Sequence, residues 1–145
     1  MIYQQEFTLP AGIGGFVTHH FYFENLSTRY NALLSQNGKT DNEVLRVLPT
    51  QASLAGIFGD LDFSIVEEVS LRVFTKADKT DYVEAAYRYP TPINPSNTLD
   101  LLPTLADCKR VLSDDRFGID LAIRLRNTTA DEMPVHLSLQ FKASY

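Results

Sequence analysis

Between residues 116 and 145 apolar and polar side chains alternate with period two, twice in succession. Phe117, Ile119, Leu121, Ile123 and Leu125 alternate with Gly118, Asp120, Ala122 and Arg124. After a polar bend at 127–132, Val135, Leu137, Leu139 and Phe141 alternate with His136, Ser138, Gln140 and Lys142. Successive side chains of a strand point to opposite faces, so this spacing sends one face to a core and one to water. A helix cannot sustain it, because its apolar stripe follows a period of 3.6 residues. The chain must therefore build antiparallel sheet, and the two runs read as a closing hairpin with Leu121 and Leu139 in the core.

The same period recurs upstream. Residues 2–9 read as a first strand, closed by Pro10 and the glycine-rich stretch 11–15. Residues 16–24 read as a second, with Val17, His19, Phe21 and Phe23 on one side and Phe16, Thr18, His20 and Tyr22 on the other. Aromatic residues on both sides imply a strand covered on both faces or one that meets another subunit. The strongest signal lies at 66–75, where Val69, Leu71 and Val73 alternate with Glu68, Ser70, Arg72 and Phe74. A charged turn at 76–81 returns the chain along 82–89, which pairs with its predecessor as a hairpin. Residues 27–35 suggest a short helix capped by Ser27, and 43–48 a short apolar segment stopped by Pro49. Residues 50–58 suggest a second short helix ended by Gly59. Leu101, Leu102, Leu105, Cys108 and Leu112 fall at near-helical spacing and suggest a short helix after Pro103. Pro90, Pro92 and Pro95 make 90–97 too stiff and donor-poor for a ladder, so it reads as an ordered surface loop. The expectation is an all-β chain, an antiparallel β-sandwich of about seven or eight strands with one or two short helices, forming a single domain over 1–145.

Composition narrows the function. At 145 residues the chain can bury ~70% of its unfolded surface without metals or disulfides. A net charge of −5 disfavours sequence-independent binding to nucleic acid, which needs clustered cations. The first residues show no basic-then-apolar leader, and no apolar run is long enough to cross a bilayer. Cys108 is the single cysteine, which excludes an intramolecular disulfide and suits a reducing interior such as cytoplasm.

Candidate chemistry is sparse. His19 and His20 are neighbours on a strand, so their rings diverge and cannot share a metal without a bulge. Cys108 sits between Asp107 and two cations but has no legible base, and it reads as a small buried hydrophobe. The carboxylate pairs Asp60/Asp62, Glu67/Glu68, Asp78/Asp81 and Asp114/Asp115 lack the calcium-loop pattern and suit turns and solvated faces. The glycines at 12, 14 and 15 precede a strand where a phosphate loop would open a helix. No cofactor or metal is implied, and the chain does not read as an enzyme. Tyr22, Tyr82, Tyr87 and Tyr89 remain, with rings that suit either a subunit contact or the stacking of a sugar.

One arrangement goes further. A long strand, 65–75, is followed by a charged turn, a second strand at 81–89, the proline-rich loop 90–95, and a leucine-rich segment at 98–112. This succession, together with the closing strands 117–142, resembles the single jelly-roll coat proteins of small icosahedral viruses. The resemblance covers residues 65–145 and rests on pattern. It implies a jelly-roll sandwich and a virion structural protein, assembled in a host cytoplasm, that works by self-association with other copies and other capsid proteins. Two departures stand out. The basic arm that many genome-packaging coats carry is absent, which suits a vertex (penton), spike or minor capsid role. The twenty residues between Asn94 and Asp114 look too few for the strands a jelly roll should place there. The expected assembly is a ring such as a pentamer, with Phe16, Tyr22, Tyr82, Tyr87 and Tyr89 as contact residues and 90–97 as a rigid contact loop. The alternative is a carbohydrate- or ligand-binding sandwich module; a cupin-like metal enzyme is a third reading, with too few histidines to support it.

Overall fold

The alternation read in the sequence is realised as eight strands in a computed structural model that describes residues 1–59, 61–93 and 96–145. In chain order they are β1 (Ile2–Leu9), β2 (Thr18–Ser27), β3 (Arg46–Gly56), β4 (Val66–Thr75), β5 (Asp78–Arg88), β6 (Thr98–Pro103), β7 (Arg116–Leu125) and β8 (Met133–Ser144). Helix α1 (Tyr30–Gln36) follows β2, and the one-turn helix α2 (Lys109–Leu112) precedes β7. All pairings are antiparallel, in the order β1-β8-β3-β6-β5-β4-β7-β2. The β5–β6 junction is short, with Ala86 opposite Pro103 and Tyr87 opposite Leu102. It divides the order into two four-stranded sheets, β1-β8-β3-β6 and β2-β7-β4-β5. Eight strands wound between two sheets in this order form a jelly roll.

The sheets face each other across one apolar core. Leu54, Leu137 and Leu139 come from the first sheet, and Leu71, Leu121 and Ile123 from the second; all are fully buried. The Tyr3 ring of β1 meets Phe117 of β7 edge-on at 4.8 Å, and Phe7 meets Phe21 of β2 at 5.0 Å. The two end strands of the sheet order thus lie near each other, and phenyl rings fill the seam. No helix among the described residues is long and apolar enough to cross a membrane.

Several expectations change. The runs at 116–125 and 133–144 are strands, but they do not pair with each other. β7 lies between β2 and β4, while β8 lies between β1 and β3. Period two identifies a strand and its faces; it carries no information on its partner, and the connection 126–132 crosses from one sheet to the other. Residues 50–58 are not a helix. Residues 50–56 belong to β3, whose Val47, Ala52 and Leu54 face the core, and 57–58 turn out of it. A register shift between Pro49 and Gln51 accommodates the proline, which has no N–H to give a ladder. Residues 98–103 are strand β6, with Leu99 and Leu101 buried, and the helix in this region shrinks to α2. β3 and β6 complete the eight strands, and the interval between Asn94 and Asp114 needs to hold only β6 and α2, for which it is long enough. β2 begins at Thr18 because Phe16 adopts a left-handed backbone (φ 63°), and Arg29, also left-handed (φ 54°), stands at the α1 N-terminus where Ser27 was expected.

Candidate functional site

Four loops meet at one end of the sandwich: residues 10–17, 57–65, 89–97 and 126–132. Backbone hydrogen bonds fix their order across that end. The Gly12 N–H donates to the Thr129 carbonyl (2.8 Å), and the Thr129 N–H to the Ile13 carbonyl (3.1 Å). Gly15 lies flat on the Asn127 backbone, where a Cβ would stand 2.9 Å from it, so only glycine allows the approach. These contacts join 10–17 to 126–132. Next, the Arg126 N–H donates to the Ile65 carbonyl (2.7 Å), and its guanidinium donates to the carbonyls of Ser64 (2.5 Å), Val66 (2.9 Å) and Thr91 (2.6 Å). One cation thus ties its own loop to two others, the stretch 64–66 and Thr91, whose hydroxyl also donates to the Val66 carbonyl. Finally, the Phe63 N–H donates to the Ser96 carbonyl (3.0 Å) and the Gly56 N–H to the Asn97 carbonyl (2.9 Å). The loops therefore run from the β1–β2 flank, through 126–132 and 57–65, to the β5–β6 flank.

This end exposes large apolar side chains on both flanks. Phe16 (69% exposed) and Val17 (57%) lie on the first; Ile57, Phe58, Tyr89 and Ile93 lie toward the second. Between them, 126–132 is polar. A cavity of about 620 Å3 opens between Phe58, Leu61 and Ile65 on one side and Ala130 and Met133 on the other, with Asp62, Asp131 and Glu132 at its rim. Asp60, Asn94 and Pro95 lie outside the described residues, so the expected contact loop 90–97 and the Asp60/Asp62 pair are placed only in part.

The five aromatic residues singled out in the sequence do not form one edge. Phe16 and Tyr89 belong to the loop end. Tyr22 and Tyr82 stand on the outer face of the second sheet, on β2 and β5, either side of Phe74. Tyr87 stands on the same face, opposite Ser70. Between the β2 and β5 rings, β7 presents only Gly118, Asp120 and Ala122, so the middle of this face is low and polar. Asp120 accepts from His20 Nδ1 (2.9 Å) and lies 3.7 Å from the Arg72 guanidinium. Arg72 donates to Ser70 Oγ (3.1 Å), Ser70 Oγ donates to Glu84 (2.5 Å), and the Arg72 guanidinium lies 4.7 Å from the centre of the Tyr82 ring. His20, Asp120, Arg72, Ser70 and Glu84 are held by one another, which leaves a stiff surface with aromatic borders.

The remaining candidates fall into place singly. His19 Nε2 lies 2.7 Å from the Gly14 carbonyl, so Nε2 carries the proton and ties β2 to the loop before it, while His20 turns to Asp120. The two rings diverge as their strand positions require. Cys108 is fully buried; burial, and then the Asp107 charge, push its thiol up to about 12, which makes it a poor nucleophile. Asp78 accepts from the Thr80 N–H and hydroxyl, Asp62 from the Ser64 N–H, and Asp114 and Asp115 both pair with Lys76. These carboxylates serve turns. Missed in the sequence were the Arg126 clasp and the apolar loop end as a unit, since neither follows a period and both depend on strand order. No protein-family model matches the chain, and no curated protein matches it.

Proposed function

We propose that the chain is a virion structural protein, a jelly-roll capsid component of vertex, spike or coat type, that works by assembling with copies of itself into a closed ring. The observation that carries this reading is the loop end, with exposed apolar side chains on two opposite flanks. A ring needs a heterologous contact, in which one patch of a subunit meets a different patch of the next. Two separate apolar flanks on one rigid end meet that requirement. The jelly-roll strand order agrees with the coat-protein resemblance of residues 65–145, although jelly rolls also serve lectins and cupins, so the order alone decides nothing. No chemical step is required of the ring; its work is done by shape and buried surface.

Size-exclusion chromatography with light scattering tests the proposal on the purified chain. The expected result is a discrete oligomer, seen as rings in negative-stain images. A strict monomer up to millimolar concentration would remove it.

A second reading draws on the outer face of the second sheet. Tyr22, Tyr82 and Tyr87 border a floor of fixed hydrogen-bonding groups, the combination that holds a neutral sugar by ring stacking and hydroxyl contacts. A glycan panel read by thermal shift separates the two. A ligand whose stabilisation is lost in Tyr82→Ala, with the parent monomeric, would favour the binding module.

A further inference from the structure

We propose that neighbouring copies join through a single knob and hole: the Phe16 ring of one copy enters the cavity on the β5–β6 flank of the next, between Phe63, Pro92 and Leu99. The inference rests on the reading of the chain as a self-assembling subunit, and it names the contact that joins the copies.

The knob is held out by the fold. Phe16 is 69% exposed and has φ 63°, a backbone state that a bulky residue adopts only under strain. It cannot relax easily, because its N–H donates to the Leu125 carbonyl (2.9 Å) and Gly15 before it is pressed on Asn127. Within one copy the strain and exposure bring no return. A neighbour supplies one.

The hole is preformed. It measures about 190 Å3, with buried Phe63 and Leu99 and exposed Pro92 as apolar walls and Arg88, Ser96 and Asp100 around them. A cavity of ~150 Å3 suffices to bind a benzene molecule, so this volume matches one phenyl ring. The Phe63 N–H bond to Ser96 and the Asp62 carboxylate on the Ser64 N–H fix the wall before any partner arrives.

Knob and hole lie on opposite flanks of the loop end, the arrangement that links copies head to tail. Apolar neighbours surround both: Val17 beside the knob, Tyr89 and Ile93 beside the hole. Together with Phe16 they present roughly 400–500 Å2 of apolar surface, a quarter to a third of the ~1,600 Å2 in a standard interface. A central aromatic anchor with a surrounding rim is the arrangement in which binding energy concentrates.

The test uses two variants of the full chain. Phe16→Asn removes the knob and installs a residue that tolerates positive φ, so the monomer should melt at the same temperature as the parent or higher. Thr98→Trp, at the exposed start of β6, fills the hole and leaves Phe16 in place. Each alone should lose association at least tenfold by light scattering. Mixed in equal amounts, they should give a one-to-one heterodimer and nothing larger, because only the open hole of the first variant and the Phe16 ring of the second remain. If the parent is oligomeric and Phe16→Asn is equally so, this contact is wrong while self-assembly stands. A parent that is monomeric throughout ends the assembly reading itself. Loss in both single variants without heterodimer on mixing means the contact is isologous, and overturns the knob and hole. Should Thr98→Trp misfold, Ser96→Phe fills the same space.

Discussion

Phe74 points away from the core yet is almost fully buried, and the reason lies across the ladder. Gly118 pairs with it on β7, and a Cβ at Gly118 would overlap the Phe74 ring. The absent side chain therefore makes a slot on the outer face, which the phenyl ring fills while Tyr22 meets it edge-on at 6.3 Å. Gly118→Ala should destabilise by ~1–3 kcal/mol, the usual penalty for overpacking. Combining it with Phe74→Leu should recover part of that loss in urea melts; an unchanged midpoint in the single variant would show that the ring is free to move. Tyr3 illustrates a second effect. Its ring is buried between Phe117 and Phe141, and its hydroxyl donates to the Thr28 carbonyl at 2.6 Å. Burial raises its pKa above the ordinary phenol value of 10, opposed in part by the Arg29 charge. The folded state thus keeps a proton that the unfolded chain releases near pH 10, so stability is present below that pH and falls as pH rises beyond it. Tyr3→Phe should cost ~1 kcal/mol at pH 7. It should also flatten the decline between pH 10 and 11.5, which chemical denaturation at stepped pH measures directly.

At the scale of elements, β3 shows what could be read in advance and what could not. The strands at 2–9 and 66–75, the pairing of 66–75 with 82–88 and the core positions Leu121 and Leu139 were legible from alternation, although residues 78–81, expected as part of the turn, belong to β5. β3 was not. Its alternation is interrupted by the irregularity at Pro49–Gln51, and Thr50-Gln51-Ala52-Ser53-Leu54-Ala55 suits a helix equally well by local preference. Pairing with β8 on one side and β6 on the other decides the matter, and that information is not local. The tyrosines on the outer face were legible as strand residues, whereas the two strands, β7 and β4, that separate them were not. The loop end was hidden for the same reason. Its cohesion depends on Arg126, whose three carbonyl partners lie 35 to 62 residues away in sequence. Arg126→Met keeps the stem and removes the donors to Ser64 and Thr91, while Val66 keeps only the Thr91 hydroxyl. It should lower stability by at least ~2 kcal/mol, the scale of one charge-assisted hydrogen bond, and speed amide exchange at 61–66 and 126–132 more than in β8. Uniform acceleration over the whole chain would mean that the arginine holds the sandwich generally and not the loops.

For the whole molecule, the distribution of charge separates two ways of holding copies together. The chain carries −5 overall, and the loops at the apolar end hold Asp62, Asp131 and Glu132 against one cation, Arg126, whose guanidinium is committed to backbone carbonyls. The opposite end is mixed: Lys76 pairs with Asp114 and Asp115, Lys79 with Glu24, and Arg110 with Asp81. On the proposed assembly, copies that meet around the loop end would bring like charges toward each other while burying Phe16, Val17, Tyr89 and Ile93. Apolar burial must outweigh that repulsion. Salt screens exposed charges over ~10 Å at 0.1 M, so raising sodium chloride from 50 to 500 mM should tighten association, and sodium sulfate should tighten it further by strengthening apolar burial. Cooling from 37 to 4 °C should weaken it, because the apolar driving force fades at low temperature. An interface held by ion pairs behaves oppositely in chloride, loosening as screening rises. Sedimentation velocity across the two salts and two temperatures distinguishes the cases, and dissociation at 500 mM sodium chloride would place the contact on the charged surfaces instead of the apolar loops.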